Sequence, residues 1–173
     1  ENNNSLVIDQ GTDKAFGDWK NFDINVNEQV NINQPDSSSL MVGRVTEGDA
    51  TQILGRLSAN GGLILLNSKG ILFGSDSQIN TANFSASTLN IDPGQFSRDD
   101  SITLTLSDPS NSDSSIINLG DISVKDSGLI SIIAPQVINE GLISARVGRI
   151  QLSSGSHATL DITGDGLLNI ALD

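Results

Sequence analysis

Apolar residues in this chain come in short bursts that alternate with Ser, Asn, Thr or Asp and are broken by Gly, as in Leu6-Val7-Ile8, Ile24-Asn25-Val26, Gly62-Leu63-Ile64-Leu65-Leu66 and Ile102-Thr103-Leu104-Thr105-Leu106. A period of two with β-branched residues predicts strands, and the intervening Gly and Asn predict turns. The bursts also repeat. Ile117-Asn118-Leu119-Gly120-Asp121-Ile122-Ser123 returns 21 residues later as Ile138-Asn139-Glu140-Gly141-Leu142-Ile143-Ser144. Gly128-Leu129-Ile130-Ser131-Ile132 is likewise answered by Gly148-Arg149-Ile150-Gln151-Leu152, and Gly62-Leu63-Ile64-Leu65-Leu66 has the same form.

Self-similarity at about 20 residues belongs to solenoids, in which a coil cannot bury its own apolar face and stacks on a neighbour. Neither copy contains the Leu-x-x-Leu-x-Leu-x-x-Asn framework of leucine-rich repeats, so a parallel β-helix fits better than that alternative or a sandwich. Stacking about 4.8 Å apart, coils of this size would make a rod of roughly eight coils, on the order of 40 Å long. The pattern places Ile122, Ile130, Ile132, Ile143, Ile150 and Leu152 inward, with Ser123, Ser131, Ser144 and Gln151 outward or at corners. Asn118 and Asn139 are positioned for a side-chain ladder at one corner.

Two segments depart from the repeat. Residues 1–36 hold Phe16, Trp19 and Phe22, the densest aromatic patch, and are expected to cap the rod's open end. Residues 92–115 carry Pro93, Pro109 and five Asp around one alternating strand, and read as a mobile hairpin or loop excursion.

Composition narrows the chemistry. One Trp, five Phe and no Tyr leave the core to Ile, Leu and Val. With 9 Lys+Arg against 21 Asp+Glu, the net charge of -12 argues against nucleic acid and anionic membranes as partners. No apolar run approaches the roughly 18 residues of a membrane-spanning helix, and any signal peptide is expected to have been removed before Glu1. The absence of Cys excludes disulfides and thiol chemistry.

Candidate catalytic groups fare poorly. His157 has Ser154, Ser156 and Asp161 nearby in sequence but no strained Gly-x-Ser-x-Gly turn. Asp161-Ile162-Thr163-Gly164-Asp165-Gly166 begins like a calcium loop but has Leu172 where the closing Glu belongs, so it reads as a turn between two strands. Glycoside hydrolysis needs two carboxylates flanking one bond, usually in an aromatic-lined cleft. Neither the adjacent Asp99 and Asp100 nor Asp121 and Asp126 supply that, so no enzyme, cofactor or metal is expected.

Leu66-Asn67-Ser68-Lys69-Gly70-Ile71-Leu72-Phe73-Gly74, followed by Gln78-Ile79-Asn80 and Phe84-Ser85-Ala86-Ser87-Thr88-Leu89-Asn90-Ile91, resembles the two-partner secretion domain that begins filamentous-haemagglutinin-like exoproteins. Supporting stretches run from Leu6 to Asp173 in the family's order. They include Trp19-Lys20-Asn21-Phe22-Asp23-Ile24, Arg44-Val45-Thr46, Gln52-Ile53-Leu54-Gly55, Leu57-Ser58-Ala59-Asn60-Gly61, Ile133-Ala134-Pro135-Gln136-Val137 and Gly164-Asp165-Gly166-Leu167-Leu168, and they look closest to the branch with high-molecular-weight adhesins. The family's Asn-Pro-Asn-Gly turn stands here as Asn67-Ser68-Lys69-Gly70 without its Pro. Its Asn-Pro-Asn-Leu motif is not evident, with Asn33-Gln34-Pro35-Asp36 near that place. Relative to the family the chain begins slightly late, with an initial cap strand expected to be missing or to lie before Glu1.

The combined expectation is an all-β, right-handed parallel β-helix with an N-terminal β cap (1–36), first coils carrying the Asn-x-x-Gly motif (37–91), an extra-helical excursion (92–115) and regular coils (116–173). The resemblance implies a monomeric secretion-targeting module of a Gram-negative exoprotein. It would pass the periplasm, be read by periplasmic POTRA-type modules of an outer-membrane two-partner secretion transporter, and nucleate folding of a C-terminal passenger at the cell surface. No membrane insertion is expected. Candidate recognition residues are Asn67, Ser68, Lys69, Gly70, Ile71, Leu72, Phe73 and Gly74, with Trp19, Phe22 and Arg44 as secondary ones. The competing reading is an adhesin module that binds a host protein or glycan through the excursion.

Overall fold

The computed structural model describes residues 4–98, 101–105, 113–155 and 157–161. In chain order the strands are β1 (Ser5–Asp9), β2 (Lys14–Trp19), β3 (Gln29–Asn33), β4 (Leu40–Val45), β5 (Thr51–Ile53), β6 (Arg56–Ala59) and β7 (Gly62–Asn67). Next come β8 (Ile71–Phe73), β9 (Gln78–Thr81), β10 (Asn83–Ser87), β11 (Asn90–Ile91), a short helix α1 (Pro93–Arg98) and β12 (Ser101–Thr105). The last are β13 (Ser115–Asn118), β14 (Asp121–Val124), β15 (Leu129–Ala134), β16 (Gln136–Asn139), β17 (Leu142–Ala145), β18 (Arg149–Ser154) and β19 (His157–Asp161).

Three parallel sheets form the walls of a solenoid. The first has the order β1-β3-β6-β9-β14-β17, the second β18-β15-β10-β7-β4-β2, and the third β16-β13-β8-β5. The internal repeat of the sequence is the ladder register itself: Ile117 faces Ile138, Ile122 faces Ile143, and Ile130 faces Ile150. Among the described residues six rungs form, against the eight expected of the whole chain. The early coils are longer, advancing 24 residues from Asp9 to Asn33 and 27 from Asn31 to Ser58, and β11 and β12, between β10 and β13, belong to a separate sheet.

The corners explain why Gly and amides recur. Gly74, Gly120 and Gly141 stack in one column, where a Cβ on Gly120 or Gly141 would run into the carbonyl of the glycine one rung before it. The expected Asn ladder is present, Asn118 Nδ2 donating to Asn139 Oδ1 at 2.8 Å. A second amide ladder was not legible in the sequence. Gln34 Nε2 donates to Gln10 Oε1 at 3.1 Å, Gly61 N donates to Gln34 Oε1 at 2.8 Å, and Gln10 Nε2 serves the carbonyls of Thr12, Asp13 and Leu40.

Inside the rod, Ile24, Ile53, Leu57, Leu65, Ile71, Ile79, Ile116, Ile122, Ile130 and Ile132 pack around Phe73 and Phe84, whose rings meet edge-to-face at 5.8 Å. The N-terminal segment closes the end by continuing the rod: β1 pairs parallel with β3 and β2 with β4. Trp19 supplies the closure. Its indole lies over Gly17 and Gly43 on the inner face and meets Phe22 edge-on at 5.4 Å.

Where it is described, at 92–98, 101–105 and 113–115, the excursion is ordered into helix and strand, while its residues 99–100 and 106–112 lie outside the described residues. β11, β12 and β19 make a small antiparallel sheet. Together with α1 it lies on the outer face of the second wall, where Val42, Ile64, Leu66, Leu129 and Ile133 pack with Leu89, Ile91, Phe96 and Ala158. This second core makes every residue of β7 and β15 buried. Ser131 faces outward and Ile150 and Leu152 stand in register with the inward Ile130 and Ile132, as the alternation places them, but exposure does not follow facing. Ser131 is fully buried because its outward face is covered, whereas Ile150 and Leu152 are 45% and 44% exposed on β18, which ends the second sheet among the described residues. The strand expected at 167–172 and the family match at 164–168 lie outside the described residues.

Two walls of core have a measurable signature. Ile132→Ala empties an interior position and Ile133→Ala a position under the excursion, so each is expected to lower unfolding free energy by about 2–4 kcal/mol, read by urea denaturation; a rod with one core would tolerate Ile133→Ala.

Candidate functional site

Asn67 ends β7 and turns the chain into β8. Its backbone carbonyl accepts from Gly70 N at 3.1 Å, closing a four-residue turn, and its Oδ1 accepts from Lys69 N at 2.9 Å. Neither Ser68 nor Lys69 has a positive φ, which makes the turn type I and not type II. Asn67 Nδ2 donates to the Asp49 carbonyl and to Thr51 Oγ1, both at 3.0 Å, so the buried amide ties this turn to the corner of the preceding coil. Gly70 has φ +119°, and a Cβ there would sit 2.9 Å from the Ser115 carbonyl. An L-residue would be strained at that backbone and also crowd the next rung.

Of the expected motif residues, Asn67, Gly70, Ile71, Phe73 and Gly74 are buried, Ser68 and Leu72 half-buried, and Lys69 exposed. Gly74 N donates to the Ile53 carbonyl at 2.9 Å, placing it in the third wall's ladder. Phe22 is buried beside Trp19, and Trp19 stands two rungs before Asn67 in the second wall, in register through Val45.

Arg44 does come to the turn. It projects from the outer face of β4 and, with Ser68, Val45, Thr46, Leu66, Leu89 and Asn90, lines a cleft of 160 Å³. Its guanidinium is nearly saturated. Nε and Nη2 donate to the two Asp18 carboxylate oxygens at 2.7 and 2.9 Å, Nη1 donates to Asn90 Oδ1 at 3.3 Å and to the Ile91 carbonyl at 3.2 Å, and the Phe16 ring centre lies 5.1 Å away. Arg44 therefore clamps the excursion to the second wall, a bidentate role that a planar guanidinium fills and an ammonium does not. Asp18, Asn90 and Thr51 had no marker in the sequence. Their roles depend on rungs paired tens of residues apart.

The geometry defines a class: a parallel β-solenoid with one packed extra-helical flap and a polar turn held rigidly at a corner beside it. A family model for the TPS secretion domain matches residues 1–170, and the chain belongs to that two-partner secretion family. The crystal structure of the HMW1 secretion domain from Haemophilus influenzae superposes with a TM-score of 0.83 at 32% identity, covering 99% of this chain and 44% of that one. Two heme/hemopexin-binding proteins of Haemophilus influenzae are 40% identical over 89 residues and 39% identical over 87. Those matches cover 51% and 50% of this chain but only 10% and 9% of the relatives, so the chain spans about a tenth of their length. The family is one of secretion domains of exoproteins, not an enzyme family, and membership implies secretion from a Gram-negative bacterium.

The Arg44 hydrogen bonds hold the Asp18 carboxyl below the ordinary carboxylate value; burial opposes this and the Arg44 charge adds to it. A lowered folded-state value means that the pair stabilises fully above the ordinary value of about 3.9 and that this is lost as pH falls through the lowered one. Asp18 is half-exposed, which limits the effect. Asp18→Asn is expected to lower stability near pH 7 by up to about 1 kcal/mol, with the gap to the unsubstituted chain closing in acid below the carboxylate range, as followed by urea unfolding across pH.

Proposed function

We propose that the domain is a secretion-targeting module whose Asn67–Gly70 turn and adjoining β8 are read by periplasmic POTRA-type modules of a cognate outer-membrane transporter. The observation that carries this is the presentation of the turn. Asn67 is sunk into the corner by two side-chain hydrogen bonds while Ser68 and Lys69 face outward beside the Arg44 cleft. If the folded form is what is read, Ser68, Lys69 and Leu72 offer the contact surface; Asn67, Gly70, Ile71, Phe73 and Gly74 set its shape. Trp19 and Phe22 then serve the rod's end, and Arg44 acts through the cleft wall. If an extended precursor is read, strand addition with alternate side chains in pockets would engage Ile71, Leu72 and Phe73.

The same module is proposed to template the passenger that follows it. Leu142, Ile150 and Leu152 remain partly exposed on β17 and β18, a surface on which a further coil gains the burial it cannot make alone. The route is periplasm to cell surface. The absence of Cys suits threading, and the net charge of -12 favours a monomer. The module acts by recognition and folding, without catalysis.

Deleting the excursion is a poor test of the adhesin alternative, because it would uncover Val42, Ile64, Leu66 and Ile133. Surface changes at the turn are cleaner. Replacing Ser68 and Lys69 together by Asp is expected to leave the circular dichroism and melting temperature of the purified domain nearly unchanged, and to cut secretion through the cognate transporter about tenfold, a loss of about 1.4 kcal/mol in recognition. Ser68→Pro restores the family's residue at the second turn position, where no hydrogen bond is lost, and should raise stability by about 0.4–1 kcal/mol with secretion intact. Full secretion of the double variant would overturn the turn's role.

A further inference from the structure

The chain contains one Asn-Gly pair, Asn60-Gly61, at the corner between β6 and β7. Both members are required there. Asn60 Oδ1 accepts from Gln34 N at 2.6 Å and its Nδ2 donates to the Gln34 carbonyl at 2.9 Å, a two-bond clamp onto the backbone of the preceding coil. Gly61 is buried, and a Cβ on it would lie 2.6 Å from both Gln34 Oε1 and the Ser39 carbonyl. The stack therefore demands the dipeptide in which an amide nitrogen is least hindered from attacking the preceding side chain.

We propose that Asn60-Gly61 is a latent deamidation site, closed by the fold and open whenever the chain is unfolded. In the unfolded chain the Gly61 amide nitrogen attacks the Asn60 side-chain carbonyl carbon; the new C–N bond closes a five-membered imide, and the side-chain nitrogen leaves as ammonia, taking up the proton lost from the Gly61 amide. Water then opens the imide at one carbonyl or the other, giving aspartate or isoaspartate at position 60. No electrons are transferred, and the only co-reactant is water.

In the folded chain the same two groups are held. The Gly61 N–H is donated to Gln34 Oε1 at 2.8 Å, the Asn60 carboxamide is fixed at both ends, and the adjoining backbone is tied through Gly62 N to the Ser39 carbonyl and through the Gly61 carbonyl to Ala82 N. Attack requires the nitrogen to lose its proton and the carboxamide to rotate onto it, which breaks all three side-chain bonds. The products also fit badly. Aspartate sets an oxygen against the Gln34 carbonyl where Nδ2 donated, and isoaspartate adds a backbone methylene between β6 and β7, shifting the register of the rungs on either side. Deamidation while unfolded thus marks a chain that has waited too long and weakens its ability to stack.

The test is a time course of this chain at one mildly alkaline pH and temperature, once folded and once in concentrated urea, with isoaspartate and aspartate at position 60 quantified by peptide mapping. Conversion is expected in urea and at least about tenfold more slowly in the folded chain, because the site must first open locally. The urea-aged sample is then refolded and its folded and unfolded fractions separated; isoaspartate at position 60 should be depleted from the folded fraction. Equal rates with and without urea, no conversion in urea, or equal isoaspartate in both refolded fractions would each overturn the proposal.

Discussion

A coil of this rod has no partner of its own; its strands hydrogen-bond only to the coils before and after it. Every wall is built this way, with register kept from Ser5 against Gln29 to Ala134 against Ser154. Contacts are therefore distant in sequence but adjacent along the rod, and the spacing of rungs limits what each corner holds. Glycine is required where backbones approach within a side chain's width, as along Gly74, Gly120 and Gly141. Amides are favoured where a corner must satisfy groups above and below, as with Gln10 and Gln34 or Asn118 and Asn139. The ends are the weak points of such an architecture, and Trp19 laid across Gly17 and Gly43 answers that need at one of them.

The second wall departs from the simple rod. Apolar residues occupy both faces of β7 and β15, and the outer one is covered by α1 and the small antiparallel sheet. Arg44 joins the two layers by reaching from β4 to Asp18, Asn90 and Ile91. The polar turn at Asn67–Gly70 stands at the edge of this doubly packed region, so its shape is inherited from the most constrained part of the molecule. A rigid corner beside a cleft suits recognition that must be specific without a large interface, since little ordering is left to be done on binding.

Much of this was legible in the sequence because a solenoid writes its register as a repeat. The pairs Ile117–Ile138 and Ile130–Ile150, the Asn118–Asn139 ladder and the inward Ile122 and Ile132 follow from the spacing alone. The family resemblance located the turn at Asn67. What stayed hidden were relations between rungs of unequal length. Gln34 meets Gln10 and Asn67 meets Thr51 across intervals that no period predicts. The burial of Ser131 is hidden for a similar reason: alternation tells which face a residue takes, not whether a distant segment covers that face. The clue was present in the unbroken runs Leu63-Ile64-Leu65-Leu66 and Ile132-Ile133-Ala134, since a strand buried on one face has no use for apolar residues on both.

Rung stacking holds the domain together and is strongest in the second wall, where the outer face is covered as well as the inner. Native-state hydrogen exchange, read residue by residue, tests it most directly. The slowest amides should lie in β7, β10 and β15, with faster exchange in β1 and β17 at the ends of the first wall and β16 at the edge of the third. Equal protection across the three walls, or slowest exchange in β1 or β17, would contradict it.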